Sequence, residues 1–258
     1  MNDIFARGLK LFTGIIYESV NEYPTFTHIK SIFNDEWYNF IVPKVEPKTL
    51  DLPKVEDLIV HEKEKGTLMS YYVPDIFFKH YETYFSDTHH KYTSSDYYIC
   101  NHHADKCSPV GKLVLVDDST IDTYVAMSKI CFPEWANNEQ YAQLMYEHQK
   151  SNKEKIVLNY LLKDKSDYIG FCGIIGSRQD NLAYFHNTGV LPEFRRKGYF
   201  TAIIQHLVNI SLKSGITDTY ALVENNSGSY HGLAKLGYKV EDKYLSIPKF
   251  SIPSAGLV

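Results

Sequence analysis

The sequence of 258 residues has little of several features that would assign it to a special class of protein. Its four cysteines, at positions 100, 107, 131 and 172, are too few for a disulfide scaffold, so we expect a reducing, cytoplasmic compartment. No apolar run approaches the roughly 18 residues of a membrane span. Asp3 and Lys10 interrupt the apolar N-terminus, so we predict neither a secretory signal nor a membrane partner.

The chain also lacks an excess of basic charge. There are 27 Lys and Arg residues against 31 Asp and Glu, which gives a formal charge of −4. This balance argues against a protein that binds nucleic acid through its overall charge. Neither a Walker-type loop nor a G-x-G-x-x-G motif occurs, so the common nucleotide-binding signatures are missing as well.

The sequence does contain enough apolar side chains for a sizeable core, since 44% of its residues are hydrophobic. Near residues 105–111 an irregular stretch rich in Tyr and His gives way to a regular alternation of strand and helix signals. We therefore divide the chain into an N-terminal α/β domain of unclear type, residues 1–105, and a C-terminal domain, residues 106–258.

Hydrophobic periodicity predicts the order β-α-α-β-β-β-α-β-α-β for the C-terminal domain. The N-terminal domain is harder to interpret. We expect helices over residues 5–20, 34–42 and 54–65, and strands over residues 66–73 and 97–100. A much-diverged second copy of the C-terminal fold is an open alternative for this domain.

The most informative stretch is residues 190–201, which link a predicted strand to a helix with an apolar stripe. Pro192 ends the strand because it lacks a backbone donor, and Gly198 can adopt the backbone angles of a tight turn. The free N–H groups and the dipole of the following helix would then bind an anion, such as a pyrophosphate. A solvated basic turn before an ordinary helix is the alternative interpretation.

Two motifs give the C-terminal domain a family resemblance. Residues 190–199, V-L-P-E-F-R-R-K-G-Y, resemble the acyl-CoA binding motif of the GNAT superfamily of N-acyltransferases. Residues 226–238, N-S-G-S-Y-H-G-L-A-K-L-G-Y, resemble the short helix of that family that ends in Leu-Gly-aromatic. The resemblance covers residues 110–258 and is specific over residues 182–238.

The resemblance implies a mixed, mostly antiparallel central sheet flanked by helices, preceded here by an N-terminal α/β extension or a diverged second GNAT-like half. It also implies that acetyl-CoA is the co-substrate and that no metal is needed. The residues that this resemblance assigns to the coenzyme are Val190, Arg195, Arg196, Lys197, Gly198, Tyr199, Phe200, Thr201 and Asn226.

Two positions depart from the family pattern. Phe200 occupies a place where the family usually has Gly or Ala, and Leu233 occupies the place of the tyrosine that often acts as general acid. Tyr230, one turn earlier in the predicted helix, is our candidate acid in its place. His186 is the candidate general base, because its usual pKa suits proton transfer near neutrality. Glu224 is a second candidate base, and each of the three can equally be a structural residue.

Other residues are tested for chemistry and assigned none. The spacing of Cys100, His102, His103 and Cys107 matches no usual zinc pattern, so no metal site is predicted. Cys172 lies in an apolar strand and is expected to be a buried thiol. Trp135, Tyr141 and Tyr146 are expected either to shape an apolar acceptor site or to pack in the core.

We therefore predict a cytoplasmic N-acetyltransferase whose acceptor is a small molecule with an amine group. The alternative is a catalytically silent acyl-CoA binding module. Seven aromatic residues of the N-terminal domain are expected to pack on the C-terminal domain, on the side where the acceptor enters, because they are too many to leave in water. They are Tyr71, Tyr72, Phe77, Phe78, Tyr81, Tyr84 and Phe85.

Overall fold

The structure of the protein, a computed structural model, describes residues 3–87, 92–103, 109 and 111–250. Its N-terminal part contains the following elements: α1 (Asp3–Phe12), β1 (Tyr17–Glu22), β2 (Phe26–Ser31), β3 (Phe40–Pro43), α2 (Leu52–Glu64), β4 (Ser70–Pro74), α3 (Phe78–Asp87) and β5 (Tyr92–His103).

The C-terminal part follows the predicted order. Its elements are β6 (Lys112–Leu115), α4 (Ile121–Cys131), α5 (Asn138–Ser151), β7 (Ile156–Asp164), β8 (Asp167–Ser177), β9 (Leu182–Val190), α6 (Tyr199–Lys213), β10 (Asp218–Glu224), α7 (Gly228–Lys235) and β11 (Lys239–Phe250). The linker expected at residues 105–111 lies largely outside the described residues.

The N-terminal predictions were only partly correct. The predicted helix over residues 54–65 is α2, and the predicted strands are β4 and β5. The predicted helix over residues 5–20 ends at Phe12, because Gly14 adopts a left-handed backbone (φ 78°) and β1 then begins. The helix predicted over residues 34–42 was wrong. Asn39 holds this segment as a loop by donating to the carbonyls of Phe33 and Asp35, and β3 follows.

All eleven strands of the described residues form one sheet, in the order β1-β2-β3-β4-β11-β5-β10-β9-β8-β7-β6. Only the pairs β3–β4 and β9–β10 are parallel, and the other neighbours are antiparallel. The predicted fold class, a mixed and mostly antiparallel sheet flanked by helices, is confirmed. Within the described residues, no helix has the length and apolar character needed to cross a membrane.

The order of elements repeats within the chain. The run β1–β2–β3–α2–β4–α3–β5 has the same order and pairing pattern as β7–β8–β9–α6–β10–α7–β11. The last strand of each run pairs with a strand of the other run: β5 pairs with β10, and β11 pairs with β4. The strands β5 and β11 also pair with each other, so the sheet continues across the position where the sequence suggests a boundary.

The two faces of the sheet are covered by different helices. One face, which we call the first face, packs against α1, α4 and α5, and residues from both runs share its core. The second face packs against α6 and α7 over the C-terminal run and against α2 and α3 over the N-terminal run. The part of the chain before β6 therefore covers the C-terminal run mainly through α1 and the loops on the first face.

Of the N-terminal aromatic residues that we expect to pack on the C-terminal domain, Tyr72 joins the shared core of the first face. Five others contact the C-terminal domain through β11, but they do so on the second face, where they pack with α2 in a separate core. These are Tyr71, Phe77, Phe78, Tyr81 and Tyr84. The side chain of Phe85 lies outside the described part of the chain.

Candidate functional site

The parallel strands β9 and β10 open into a wedge. They are paired only at their first residues, up to Tyr184 opposite Tyr220. Beyond that pair β10 stays paired with β5, while β9 stays paired with β8, so a gap opens between β9 and β10. Residues 185–188 form one wall of this wedge and residues 221–224 the other.

A β-bulge shapes the β9 wall. Gly173 of β8 pairs with His186, but Phe171 pairs with Gly189, so two residues of β9 oppose a single residue of β8. Asn187 adopts a left-handed backbone (φ 44°), and its side chain is held by Ser128 and Tyr124 of α4. The bulge therefore turns backbone groups of β9 out of the regular ladder beside the wedge.

The turn after β9 leads into an uncapped helix. Gly198 is the N-cap residue of α6 and adopts a left-handed backbone (φ 85°) that favours glycine. No side chain caps this end of α6. The first N–H groups of the helix and the positive end of its dipole are thus available to an anion.

The three cations of the turn point in different directions. Arg195 is anchored, since its Nε donates to the carbonyl of Val190 at 3.0 Å, and both Arg195 and Arg196 line the cleft at the start of α6. Lys197 departs from the expectation. Its ammonium donates to the carbonyl of Glu193 and lies over the ring of Phe194, and it does not line the cleft.

Two connected cavities follow from this geometry. The larger, about 1060 Å³, lies between the turn and α7, and Val190, Gly198, Tyr199, Phe200 and Thr201 line it as expected. The smaller, about 260 Å³, fills the wedge. Thr188, Phe200 and Ser229 line both cavities and so mark where they join. A ligand bound at the turn can therefore reach into the wedge.

His186 lies at the wedge but is almost fully buried. Its Nδ1 and the Tyr141 hydroxyl form a 2.9 Å hydrogen bond, and its ring lies against Gly173, whose missing side chain makes room for it. Nε2 is buried and has no hydrogen-bond partner among the residues that the structure describes. Burial lowers the pKa of His186 to about 3, so the ring is neutral at physiological pH and is a weaker base than the sequence suggests.

Glu224, Tyr230 and Asn226 have different placements. Glu224 ends β10 and is exposed at the wedge, where it lines the smaller cavity. Tyr230 is directed toward β5, where its ring meets that of Tyr98 at 5.3 Å, and it lines neither cavity. Asn226 lines neither cavity and does not start α7, because Ser227 is the N-cap. The structure thus brings Glu224 and His186 together and leaves Tyr230 and Asn226 outside.

The two residues that depart from the family pattern, Phe200 and Leu233, both have packing roles. The Phe200 ring lies against Gly232 of α7, so close that a Cβ on that glycine would be 2.6 Å from it. Leu233 is fully buried in the core of the second face. Sequence reasoning missed Ser229, which lines both cavities, because a serine in a short helix gives no distinct signal.

No group of three or more metal-ligating side chains occurs in the part of the chain that the structure describes. Cys100 is buried there, and burial raises the pKa of its thiol to about 11. The side chains of His102, His103 and Cys107 lie outside the described residues. Cys172 is buried as expected, and burial raises its pKa as well.

Comparison with known proteins identifies the domain that carries this site. Residues 121–238 match the model of the acetyltransferase (GNAT) family. This part of the chain is therefore a GNAT acetyltransferase domain, as its two motifs predict. A comparison with curated proteins found no match.

Solved structures resemble most of the chain, including its N-terminal part. A functionally unknown conserved protein from Staphylococcus epidermidis has a TM-score of 0.65 and 13% identity, covering 90% of this chain and 94% of its own. A GCN5-related N-acetyltransferase from Kribbella flavida has a TM-score of 0.64 and 11% identity, with coverages of 95% and 92%. A tandem GNAT protein from the clavulanic acid biosynthesis pathway has a TM-score of 0.57 and 12% identity, with coverages of 89% and 80%. These similarities concern the fold.

Proposed function

We propose that the protein is an N-acetyltransferase that moves an acetyl group from acetyl-CoA directly to the amine of a small-molecule acceptor. The observation that carries this proposal is the uncapped start of α6, behind left-handed Gly198 and beside Arg195 and Arg196, which opens into the wedge of β9 and β10. An anion site joined to a gap in a sheet suits a ligand with a pyrophosphate at one end and a reactive group at the other.

The residues present fit acetyl-CoA. The N–H groups of α6 and the guanidinium groups of Arg195 and Arg196 would hold the pyrophosphate. Beyond Tyr184, β9 is no longer paired with β10. The peptide groups on this edge of β9 can therefore form hydrogen bonds with the amides of the pantetheine arm. The thioester would then lie in the wedge, beside the bulge at Asn187 and Thr188.

Transfer of the acetyl group forms a C–N bond to the amine and breaks the C–S bond of the thioester. A backbone N–H released by the bulge in β9 would stabilise the oxyanion of the tetrahedral intermediate. The amine must arrive neutral or lose its proton to solvent, because buried His186 is a weak base. Ser229, at the junction of the two cavities, is placed to donate a hydrogen bond to the leaving sulfur.

A catalytically silent acyl-CoA binding module is the second candidate. Three observations favour it: Leu233 is buried where a general acid often lies, Tyr230 packs against Tyr98, and the pKa of His186 is lowered to about 3 by burial. A module of this kind would hold the coenzyme in the same cleft without accelerating transfer to an amine.

Thiol release separates the two candidates. The protein is mixed with acetyl-CoA and a panel of primary amines, and the free thiol of coenzyme A is followed over time. Transfer predicts release that depends on both the amine and the protein, with acetylated amine as the second product. Tight acetyl-CoA binding with no amine-dependent release from any acceptor would instead assign the silent module.

We further infer that residues 1–105 are a second, diverged GNAT-like half, because their elements follow the order of the C-terminal run. We also propose a cytoplasmic location, with no metal and no nucleic acid as partner. The described cysteines Cys100, Cys131 and Cys172 are free thiols, which agrees with a reducing compartment.

A further inference from the structure

The wedge has a charged group at the end of β10. Glu224 is the only carboxylate among the described residues that line the wedge cavity. The alternation along β10 places it on the first face, with Tyr220 and Leu222, whereas Ala221 and Val223 face α6 and α7. A ligand that reaches the wedge from the first face therefore meets a negative charge.

One aromatic ring lies beside this carboxylate, and a second ring packs against the first. Tyr97 of β5 is the ladder partner of Glu224, and burial and then the Glu224 charge raise its pKa. Trp37, from the loop between β2 and β3, meets the Tyr97 ring edge-on at 5.2 Å. The indole is 41% exposed, although most large aromatic side chains in this region are buried.

The loop that carries Trp37 is held in place by buried polar groups. Asn39 accepts from the backbone of Ser31 and donates to the carbonyls of Phe33 and Asp35. Asp35 is 6% exposed. The exposure of Trp37 therefore belongs to an ordered loop, because its neighbours are fixed from within the N-terminal run.

Asp35 also fastens the loop to the GNAT domain. One of its carboxylate oxygens accepts from the Trp37 backbone, and the other accepts from Trp135 Nε1 at 2.9 Å and Asn137 Nδ2 at 3.1 Å. Trp135 and Asn137 lie between α4 and α5. The N-terminal run thereby holds Trp37 against Tyr97, the ladder partner of Glu224.

We propose that Trp37, Tyr97 and Glu224 form an acceptor subsite that selects amines carrying a second positive charge. This inference rests on the proposed function, because it assigns the substrate class of the same wedge. The Glu224 carboxylate would pair with the second cation, and the exposed face of Trp37 would stabilise it through a cation–π contact.

The cation held at this subsite must differ from the amine that reacts. An ammonium paired with a carboxylate keeps its proton more firmly, because the opposite charge favours the charged form. Such an amine would be a poor nucleophile. An acceptor with two amino groups resolves this conflict, since one stays charged at Glu224 while the other reaches the thioester as the neutral amine.

The experiment uses the full chain saturated with coenzyme A, and isothermal titration calorimetry as the readout. The probes are putrescine, with an ammonium at each end of a butane chain, n-butylamine, with one, and γ-aminobutyrate, in which the second ammonium is replaced by a carboxylate. We expect putrescine to bind most tightly and γ-aminobutyrate most weakly. Glu224→Gln or Trp37→Leu should each weaken putrescine binding roughly fivefold, and Glu224→Gln should bring it close to that of n-butylamine.

Glu147→Gln is the matched control, because Glu147 is an exposed carboxylate on α5 that lines neither cavity. Equal binding of the three probes, or no binding of any of them up to their solubility limits, overturns the subsite. A putrescine preference that survives Glu224→Gln does the same. Coenzyme A binding is measured in the same samples, so its absence would instead count against the proposed function.

Discussion

The two parallel strand pairs of the sheet begin alike. In β3–β4, as in β9–β10, only the first residues of the strands are paired, up to Ile41 opposite Tyr71 in the N-terminal pair. In each case the first strand of the pair runs into a 3-10 turn that begins with a proline, Pro47 or Pro192, and then into a helix on the second face.

The two helix starts differ in how their N–H groups are used. At α2, the Asp51 side chain is the cap and accepts from the backbone of Lys54, so a carboxylate of the chain itself occupies the place of an anion. At α6, left-handed Gly198 leaves the helix start uncapped. An anion site in this fold thus depends on what the turn leaves unsatisfied, since both helices have the same dipole.

The spaces beside the two helices differ as well. Next to β3 and β4, the Tyr81 hydroxyl donates to the carbonyl of Val45, and Ile41, Tyr71 and Leu245 join a packed core. Next to β9 and β10 there is a cleft that reaches the wedge. We infer that the N-terminal pair supports the fold and the acceptor side, while the C-terminal pair holds the coenzyme.

The largest expected effect comes from separating the two runs. A fragment of residues 106–258 would lack β4 and β5, which are both neighbours of β11. We expect it to aggregate or to bind acetyl-CoA weakly, because β11 would have no partner strand and the core of the first face would be exposed. Size-exclusion chromatography and a coenzyme titration check this. A soluble monomer with the acetyl-CoA affinity and amine profile of the whole chain would show that the runs are independent.

A second test concerns equivalent positions on β9 and β3. His186 lies two residues beyond the last pair of β9 with β10, and Pro43 lies two residues beyond the last pair of β3 with β4. Burial lowers the pKa of His186 from 6.5 to about 3, so between these values the unfolded chain binds a proton that the folded chain does not. In this range the free energy of unfolding should therefore decrease as the pH is lowered, by about 1.4 kcal/mol per pH unit from this group.

Denaturant titrations of the wild type and His186→Gln, at about pH 7 and about pH 5, measure this contribution as a difference between the two proteins. The advantage of the wild type over the variant should shrink as the pH falls. The same difference at both pH values would mean that the His186 ring is protonated in the folded protein as readily as in water.

A smaller effect is expected from the individual cations of the turn. Arg196→Ala should weaken acetyl-CoA binding roughly tenfold, because it removes a guanidinium that lines the cleft. Lys197→Ala is the control within the same turn, since the Lys197 ammonium is bonded to the carbonyl of Glu193, and its loss should matter much less. The two affinities are compared by calorimetry. Equal losses from the two variants would mean that the turn acts only through its net charge.

The smallest effect tests the N-terminal helix start. Asp51→Ala removes the cap of α2 and should lower the free energy of unfolding by about 1 kcal/mol. Acetyl-CoA affinity should not change, because the two helix starts serve different purposes. A change in coenzyme affinity without a loss of stability would require a second anion site at α2.

The sequence predicted the C-terminal run well because its signals are local. The stripe on α6, the basic turn and Gly198 each follow from a short stretch of residues, and every predicted element there is present. The N-terminal strands β1, β2 and β3 were missed. The helices predicted over residues 5–20 and 34–42 overlap β1 and β3, and the second of these segments is a loop, held by Asn39 and Asp35, that looks helical by periodicity alone. The pairing of β5 and β11 with strands of the other run also has no signature in any short stretch of the sequence.

Within the site, sequence reasoning located the anion turn but not the direction of each side chain. Lys197 and Tyr230 have the residue types and spacing that a coenzyme site needs, yet one is bonded to the carbonyl of Glu193 and the other packs against Tyr98. Such directions depend on contacts with distant parts of the chain. The subsite of Trp37 and Glu224 joins residues of both runs and could not be predicted from either alone.

The most direct test of the account compares valine at two glycines. Gly198 and Gly66 both have a left-handed backbone (φ 85° and 78°), and at each one an added Cβ would meet nothing within 4 Å. Gly66 follows α2, far along the chain from the turn before α6. Gly198→Val and Gly66→Val should therefore impose a similar backbone strain, and only the first should change the turn beside α6.

The measurement is the stabilisation of each folded variant by acetyl-CoA, which for a bound coenzyme is about 2.7 kcal/mol at 100 times its dissociation constant. We predict that Gly66→Val keeps this stabilisation and that Gly198→Val loses it. A folded Gly198→Val protein that binds acetyl-CoA as tightly as the wild type would contradict the assignment of the turn before α6 as the coenzyme site.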